Sequence, residues 1–203
     1  MNSLQEVVHT PGVFGDKHLV FVGGETVSWL AFNNRVEYWQ QRLPKAAKHV
    51  VIYEDHPVDF LVLLVAAWRQ QKTVLLPANL LPNTINRLQA YKPFYASNIA
   101  EPPQEVAQQT MVEAVDTALI LFTSGSTGEP KPIAKSFDLL NAELTAINAL
   151  LVNQVANDQP VAGLVPHCHM YGLLFKLLWP LCVGRQIWSN QLEYWEQVEA
   201  IST

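Results

Sequence analysis

Apolar residues fall in short runs separated by longer stretches of helical spacing, an alternation that predicts βαβ units around a largely parallel sheet. Val50–Tyr53 is a β-branched run and predicts a strand. Pro57–Gln71 predicts a helix that is apolar almost all round and therefore buried. Thr73–Leu76 predicts the next strand, closed by Pro77. A helix is expected from Pro82, a residue suited to a first turn, to about Tyr91, then a short strand at Phe94–Ala96. Ile99–Gln109, with Pro102, Pro103 and three glutamines, reads as a linker. Beyond it, Ala118–Phe122 predicts a strand running into a Gly-rich turn, and Pro132–Lys135 a returning strand. Leu140, Leu144, Ile147 and Leu151 mark one face of an amphipathic helix with Asp138 as its N-cap. A strand at Val161–Val165, a helix at Tyr171–Leu181, a strand at Gln186–Trp188 and a helix at Leu192–Ile201 complete the pattern. The expected fold class is α/β with helix-flanked, largely parallel sheets. Met1–Gln109 is expected to form one subdomain and Thr110–Thr203 to start a second.

Composition narrows the functional classes. With 203 residues, 49% hydrophobic and 15% charged, the chain can bury a substantial core. The net charge of -5 and the scattered basic residues argue against a nucleic-acid partner, whose phosphates reward a basic face. The longest apolar runs, Phe60–Trp68 and Gly172–Val183, are too short to span a bilayer, and Lys176 interrupts the second. Cys168 and Cys182 make no CxxC pair and sit in apolar stretches, as small buried hydrophobes do. Met1–Thr10 has neither the basic lead nor the apolar stretch of a secretory signal, so a cytoplasmic protein is expected.

The run Leu119-Ile-Leu-Phe-Thr-Ser-Gly-Ser-Thr-Gly-Glu-Pro-Lys131 carries the chemistry. An apolar strand enters Thr123, Ser124, Gly125, Ser126, Thr127 and Gly128, with Lys131 three residues on. Glycines lack the Cβ that would block an anion, and they reach backbone conformations that aim successive N–H groups at one. Four hydroxyls add donors for phosphate oxygens, and one can reach a magnesium ion. Lys131 adds a mobile positive charge. The Walker pattern fails here: two residues, not four, separate Gly125 from Gly128, and Glu129-Pro130 precede the lysine. A polar hairpin turn is the plain alternative, but it leaves the ordered run of hydroxyls, glycines and lysine unexplained.

This run resembles the Thr-Ser-Gly-Ser-Thr-Gly-x-Pro-Lys signature of the adenylate-forming superfamily, which includes acyl- and aryl-CoA synthetases, peptide-synthetase adenylation domains and luciferases. The resemblance implies a mobile loop that closes over the β- and γ-phosphates of ATP while a carboxylate attacks the α-phosphorus. It makes Thr123, Ser124, Gly125, Ser126, Thr127, Gly128 and Lys131 the expected triphosphate contacts. The family's usual glycine after the lysine is Pro132 here, which would stiffen the loop's trailing hinge. Val165-Pro-His-Cys-His-Met-Tyr-Gly172 is similar to the family's Pro-x-x-His-x-x-Gly segment, with Pro166, His169 and Gly172 matching. That match places His169 on the acyl side, near the reacting carboxylate, where imidazole can donate a hydrogen bond or adjust charge near neutral pH. His167, Cys168 and His169 read poorly as a metal site, because neighbours on extended chain point to opposite faces and no spaced partner follows. A structural histidine at a strand end is the plain alternative for both imidazoles.

Thr26-Val-Ser-Trp-Leu-Ala-Phe, Val50–Phe60 and Lys72–Pro77 resemble further stretches of the family more loosely. Trp179, Trp188 and Met170 suggest an apolar acyl pocket for a fatty or aromatic acid, with aromatic core packing as the alternative. The resemblance implies acyl-adenylate formation from ATP and Mg²⁺, then transfer to coenzyme A or the phosphopantetheine of an acyl carrier protein. It also implies a longer enzyme: the family's aromatic-Gly-x-Thr-Glu segment, ribose-binding aspartate and catalytic lysine do not occur before Thr203. The chain is therefore expected to be a front fragment, inactive by itself and prone to self-association through exposed packing surface. A non-catalytic nucleotide-binding or interaction module derived from the family is the competing reading.

Overall fold

The computed structural model describes residues 1–10, 13, 18–22, 26–96, 116–124, 130–155, 159–190 and 192–202. They divide into two compact units, each assembled from separate stretches of chain: Met1–Arg35, His56–Val58 and Asp138–Thr203 in one, Val36–Asp55 and Asp59–Phe137 in the other. The linker expected at Ile99–Gln109 and the subdomain boundary after Gln109 lie outside the described residues.

The second unit is built on a five-stranded sheet. Its strands are β3 (His49–Val51), β4 (Thr73–Pro77), β5 (Phe94–Tyr95), β6 (Thr117–Ser124) and β7 (Pro130–Ser136), in the order β5-β3-β4-β6-β7. β3 pairs in parallel with β4 and β5, β4 pairs in parallel with β6, and only β7 runs antiparallel to its neighbour β6. β-branched and leucine side chains at Val50, Val51, Val74, Leu75, Leu119 and Ile120 are fully buried, as expected of parallel strands covered on both faces. Helix α3 (Pro57–Arg69) is buried from Phe60 to Trp68. The Trp68 indole N–H donates to the Ala118 carbonyl at 2.8 Å and its ring meets Phe137 edge-on at 5.1 Å. Helix α4 (Pro82–Leu88) and the 3₁₀ turn Gln89–Tyr91 place Leu88 and Tyr91 in a cluster with Val51, Leu75, Ile120 and Phe122.

Local chemistry fixes the ends of these elements. α3 stops in a Schellman motif: the Lys72 N–H reaches the Ala67 carbonyl, the Gln71 N–H reaches Trp68, and Gln71 takes the left-handed conformation at φ 56°. Lys72 is then buried, and its ammonium donates to the Pro44 and Ala47 carbonyls at 2.7 and 2.6 Å, tying down the chain that leads into β3. Pro77 ends β4 as its last residue, where the missing N–H falls at the limit of the ladder.

The first unit holds a three-stranded sheet of β2 (Thr26–Ser28), β1 (His18–Val22) and β8 (Ile187–Trp188), with β1 antiparallel to β2 and parallel to β8. Helix α1 (Leu4–His9) starts at a capping box in which Ser3 and Glu6 satisfy each other's backbone N–H groups. It is held in place by the Leu4 N–H on Asn141 Oδ1 at 2.7 Å. Helix α2 (Trp29–Arg42) begins in this unit, and Trp29, Phe32 and Val36 recur at helical spacing as its buried stripe. Helix α5 (Phe137–Leu151) buries Leu140, Leu144 and Ile147 as the periodicity predicts, while Asp138 lies inside the first turn, not at the N-cap. Two expectations are corrected. Val161–Val165 is not a strand: Val161 alone makes a parallel bridge, to Ile187, because β8 offers only two residues. The helix expected at Tyr171–Leu181 is a π-helix over Gly172–Leu178 followed by helix α6 (Trp179–Val183). Pro180 supplies the physical reason, since its ring would clash with the carbonyl four residues back in an unbroken α-helix. Helix α7 (Trp195–Ser202) closes the order of elements.

Cys182, in α6, is fully buried, and burial pushes its thiol up to about 12. Thiolate is then scarce at pH 8, about one part in ten thousand. Native protein treated with iodoacetamide at pH 8 is expected to leave Cys182 unmodified, with the label appearing on its peptide only after denaturation. Labelling at the rate of a free thiol would contradict this packing.

Candidate functional site

The β6–β7 hairpin carries the hydroxyl- and glycine-rich run. Leu119 to Phe122 are buried and anchor the ascending strand. The antiparallel register then pairs Phe122 with Pro132, Thr123 with Lys131 and Ser124 with Pro130. Gly125, Ser126, Thr127, Gly128 and Glu129 form the connection and lie outside the described residues. Prolines 130 and 132 fit this strand because β7 is the edge of the sheet, where a missing N–H costs no ladder bond on the outer side. Pro132 is thus an edge-strand residue, and Lys131 is exposed beside it. β3, β4 and β6 run in parallel, so Val51, Pro77 and Ser124 end at one edge of the sheet, the carboxyl edge where open α/β sheets bind ligands.

His169 belongs to the other unit. The His169 N–H donates to the Pro166 carbonyl at 3.1 Å, closing a turn, and the His169 carbonyl accepts from the Leu173 N–H at 2.8 Å as the helix begins. This turn sends His167 inward, 5% exposed, and leaves His169 exposed. Gly172 explains why the segment needs glycine at that place. A Cβ there would lie 2.1 Å from the Pro166 carbonyl oxygen and 2.7 Å from that of Val165, so helix and turn meet backbone to backbone.

Beside this turn lies a cavity of about 280 Å³, walled by Gly163, Val165, Tyr171, Phe175 and Lys176 among others. The Tyr171 and Phe175 rings stack at 6.0 Å and 23°. Met170, Trp179 and Trp188 do not line it. Trp179 is core, its indole N–H donating to Asn148 Oδ1 at 3.2 Å. Lys176 is 2% exposed, and burial depresses its ammonium below the usual lysine range. The sequence signals Lys176 only as the charge that breaks the apolar run Gly172–Val183. Among the described residues, no three His, Cys, Asp or Glu side chains gather as a metal site, and no helix is long and apolar enough to cross a membrane.

Of the candidate residues, then, the structure brings Thr123, Ser124 and Lys131 together across one hairpin and sets His169 at a helix start in the other unit. The run that carries this loop chemistry thus sits in an edge hairpin on an α/β sheet of mostly parallel strands. The family described as AMP-binding enzyme matches residues 78–191, more than half of the sequence, including both the hairpin and Pro166–Gly172. The chain belongs to this adenylate-forming family. It is 28% identical over 171 residues to the mitochondrial malonate–CoA ligase of Homo sapiens, covering 81% of this chain and 27% of that protein. It is 33% identical over 72 residues to long-chain-fatty-acid–CoA ligase 1 of Saccharomyces cerevisiae, covering 34% of this chain and 10% of that one. The fold is shared with VinN in complex with 3-methylaspartate, at a TM-score of 0.74 and 14% identity over 99% of this chain and 63% of the other. It is shared equally with O-succinylbenzoate coenzyme A synthetase of Bacillus subtilis in complex with AMP, at 0.72 and 13% over 97% and 58%. The chain thus spans about a quarter of the human ligase and about 60% of these solved chains.

Proposed function

We propose that this chain supplies the triphosphate-gripping part of a ligase that activates a carboxylic acid with Mg-ATP as an acyl-adenylate. The observation that carries the reading is the edge hairpin that sets Lys131 opposite Thr123 at the start of the glycine- and hydroxyl-rich connection. Thr123, Ser124, Gly125, Ser126, Thr127, Gly128 and Lys131 take the β- and γ-phosphates, and magnesium enters with the nucleotide. The acid's carboxylate attacks the α-phosphorus and pyrophosphate leaves. Positioning and charge neutralisation suffice for that displacement, with no covalent enzyme nucleophile. His169 acts on the acyl side as a hydrogen-bond donor to the reacting carboxylate. A thiol, from coenzyme A or the phosphopantetheine of an acyl carrier protein, then displaces AMP. The relatives' names span malonate and long-chain fatty acids. The aromatic wall of the 280 Å³ cavity supports an acid with an apolar body, fatty or aromatic. We read the protein as cytoplasmic, and self-association through exposed apolar side chains such as Leu30 and Trp195 goes with the same reading.

The test is carboxylate-dependent ATP–pyrophosphate exchange over a panel of acids. Exchange with one acid class is the expected outcome for the complete catalytic unit. Mg-ATP binding without exchange for any acid, in the longest form of the protein the gene encodes, would replace this reading by a nucleotide-binding module without ligase activity.

A further inference from the structure

Asn148, Trp179 and Arg185 meet around another cavity of the first unit, of about 440 Å³, whose wall also includes Met1, Val152 and Val183. Helix α6 ends there in a Schellman motif. The Arg185 N–H reaches the Pro180 carbonyl at 2.9 Å, the Gly184 N–H reaches Leu181 at 3.4 Å, and Gly184 takes the left-handed conformation at φ 71°. The chain therefore folds back toward the first turn of α6, and the Arg185 guanidinium carbon lies 5.3 Å from the centre of the Trp179 ring. Arg185 Nη2 donates to the Val155 carbonyl at 2.7 Å, which fixes the group and leaves its charge in place. An indole N–H can only donate, so its 3.2 Å bond to Asn148 settles which way that amide is turned: Oδ1 faces the indole, and the two donors of Nδ2 lie on the other side.

We propose that this cavity binds a compact organic oxyanion, a phosphate ester or a carboxylate, with Asn148 Nδ2 as the hydrogen-bond donor and Arg185 as a fixed positive charge. The site is separate from the hairpin and from the Pro166–Gly172 turn, and it does not depend on the acid-activating reading. Asn148 has engaged its acceptor with the indole, so what it offers a ligand is a donor; Arg185 offers only donors and charge. Such a wall favours an anion over a neutral molecule of the same shape and disfavours a cation. Arg185 needs no vacant N–H for this role, because charge attracts over several ångströms where water is partly excluded. Trp179 holds the amide and Val155 the guanidinium, so little side-chain freedom is lost when the ligand enters. At 440 Å³ the cavity falls within the range of about 300–1,000 Å³ for small-molecule sites and exceeds what a bare ion needs. The oxyanion therefore comes on an apolar body, which Val152 and Val183 can cover.

The experiment is an NMR titration of the ¹⁵N-labelled chain with phenyl phosphate, benzoate and benzamide, read at the Trp179 indole N–H, whose acceptor is Asn148. Saturable displacement of that crosspeak by one or both anions is expected, with benzamide weaker by about tenfold or more, the range for a hydrogen bond that carries charge. Which anion acts tells phosphate from carboxylate. Asn148→Asp keeps an oxygen for the indole and replaces the amide donors by a negative charge, so it should weaken the anion by about tenfold or more. Val152 is 45% exposed and tolerates replacement, so it gives a second readout if Asn148→Asp fails to fold. Val152→Glu should weaken the same anion and Val152→Lys should strengthen it. No displacement by either anion, benzamide binding as tightly as benzoate, anion binding unchanged in Asn148→Asp, or the same affinity in both Val152 variants would each overturn the proposal.

Discussion

Gly172→Ala is expected to destabilise the protein by about 2–3 kcal/mol, at the upper end for overpacking, and to lower its melting temperature by roughly 4–12 °C. The added methyl would stand 2.1 Å from the Pro166 carbonyl oxygen and 2.6 Å from its carbon. Both atoms are backbone, fixed by the His169 N–H on one side and the helix start on the other, so neither can swing away as a side chain end would. The helix must then move off the turn, which also displaces His169 and the wall of the cavity. Gly163→Ala is the matched control, since its methyl meets only lysine side-chain carbons at 3.8 Å. That substitution is expected to be neutral, or stabilising by about 0.5 kcal/mol through the unfolded chain. Thermal denaturation of the two variants side by side decides the matter. Equal melting temperatures would mean that helix and turn are not in backbone contact.

What the sequence made legible follows from how local each signal is. Helices α3 and α4 and strands β4 and β6 appear within a few residues of their expected places because their periodicity or their flanking prolines are contained in the segment itself. β7 is longer than expected, Pro130–Ser136 against Pro132–Lys135. Prolines read as breakers in isolation but are compatible with a strand that has one free edge. That it is an edge strand depends on pairing, which no local pattern carries. Val161–Val165 shows the reverse: a run with strand-like composition stays irregular past its first residue because its partner β8 is too short. Neither α1 nor α2 is among the predicted elements, although the Ser3–Glu6 capping box and the Trp29, Phe32, Val36 stripe are both present in the sequence.

The site divides in the same way. The hairpin loop is recognisable because the chemistry of phosphate binding needs its residues consecutively, so the motif survives as a string. A pocket wall needs residues brought together by a turn and a helix, and the sequence shows them only as scattered aromatics. Trp179 and Trp188 attract attention by size, yet Trp179 is packed in the core while the cavity is lined by Tyr171 and Phe175. Lys176 is visible as one charge in an apolar run. Whether such a lysine snorkels to water or stays inside depends on the helix register, and here the side chain is inside.

Lys131→Ala is expected to weaken Mg-ATP binding about 10- to 100-fold, the range for losing one hydrogen bond that carries charge. AMP binding should change by less than about threefold, because AMP has no β- or γ-phosphate for this lysine to reach. The contrast separates a phosphate contact from a structural role. If Lys131 merely held the hairpin together, ATP and AMP would weaken in parallel, and the melting temperature would fall with them. Its position argues against that role: it is exposed at the edge strand, where truncation leaves no cavity. Lys131→Arg should recover part of the loss, since charge is kept while the compact ammonium is replaced by a broad planar fork. Titration calorimetry of both nucleotides against the three proteins gives the full comparison. An unchanged ATP affinity in the alanine variant would remove Lys131 from the triphosphate site and leave the hydroxyls and backbone of the loop as its sole candidates.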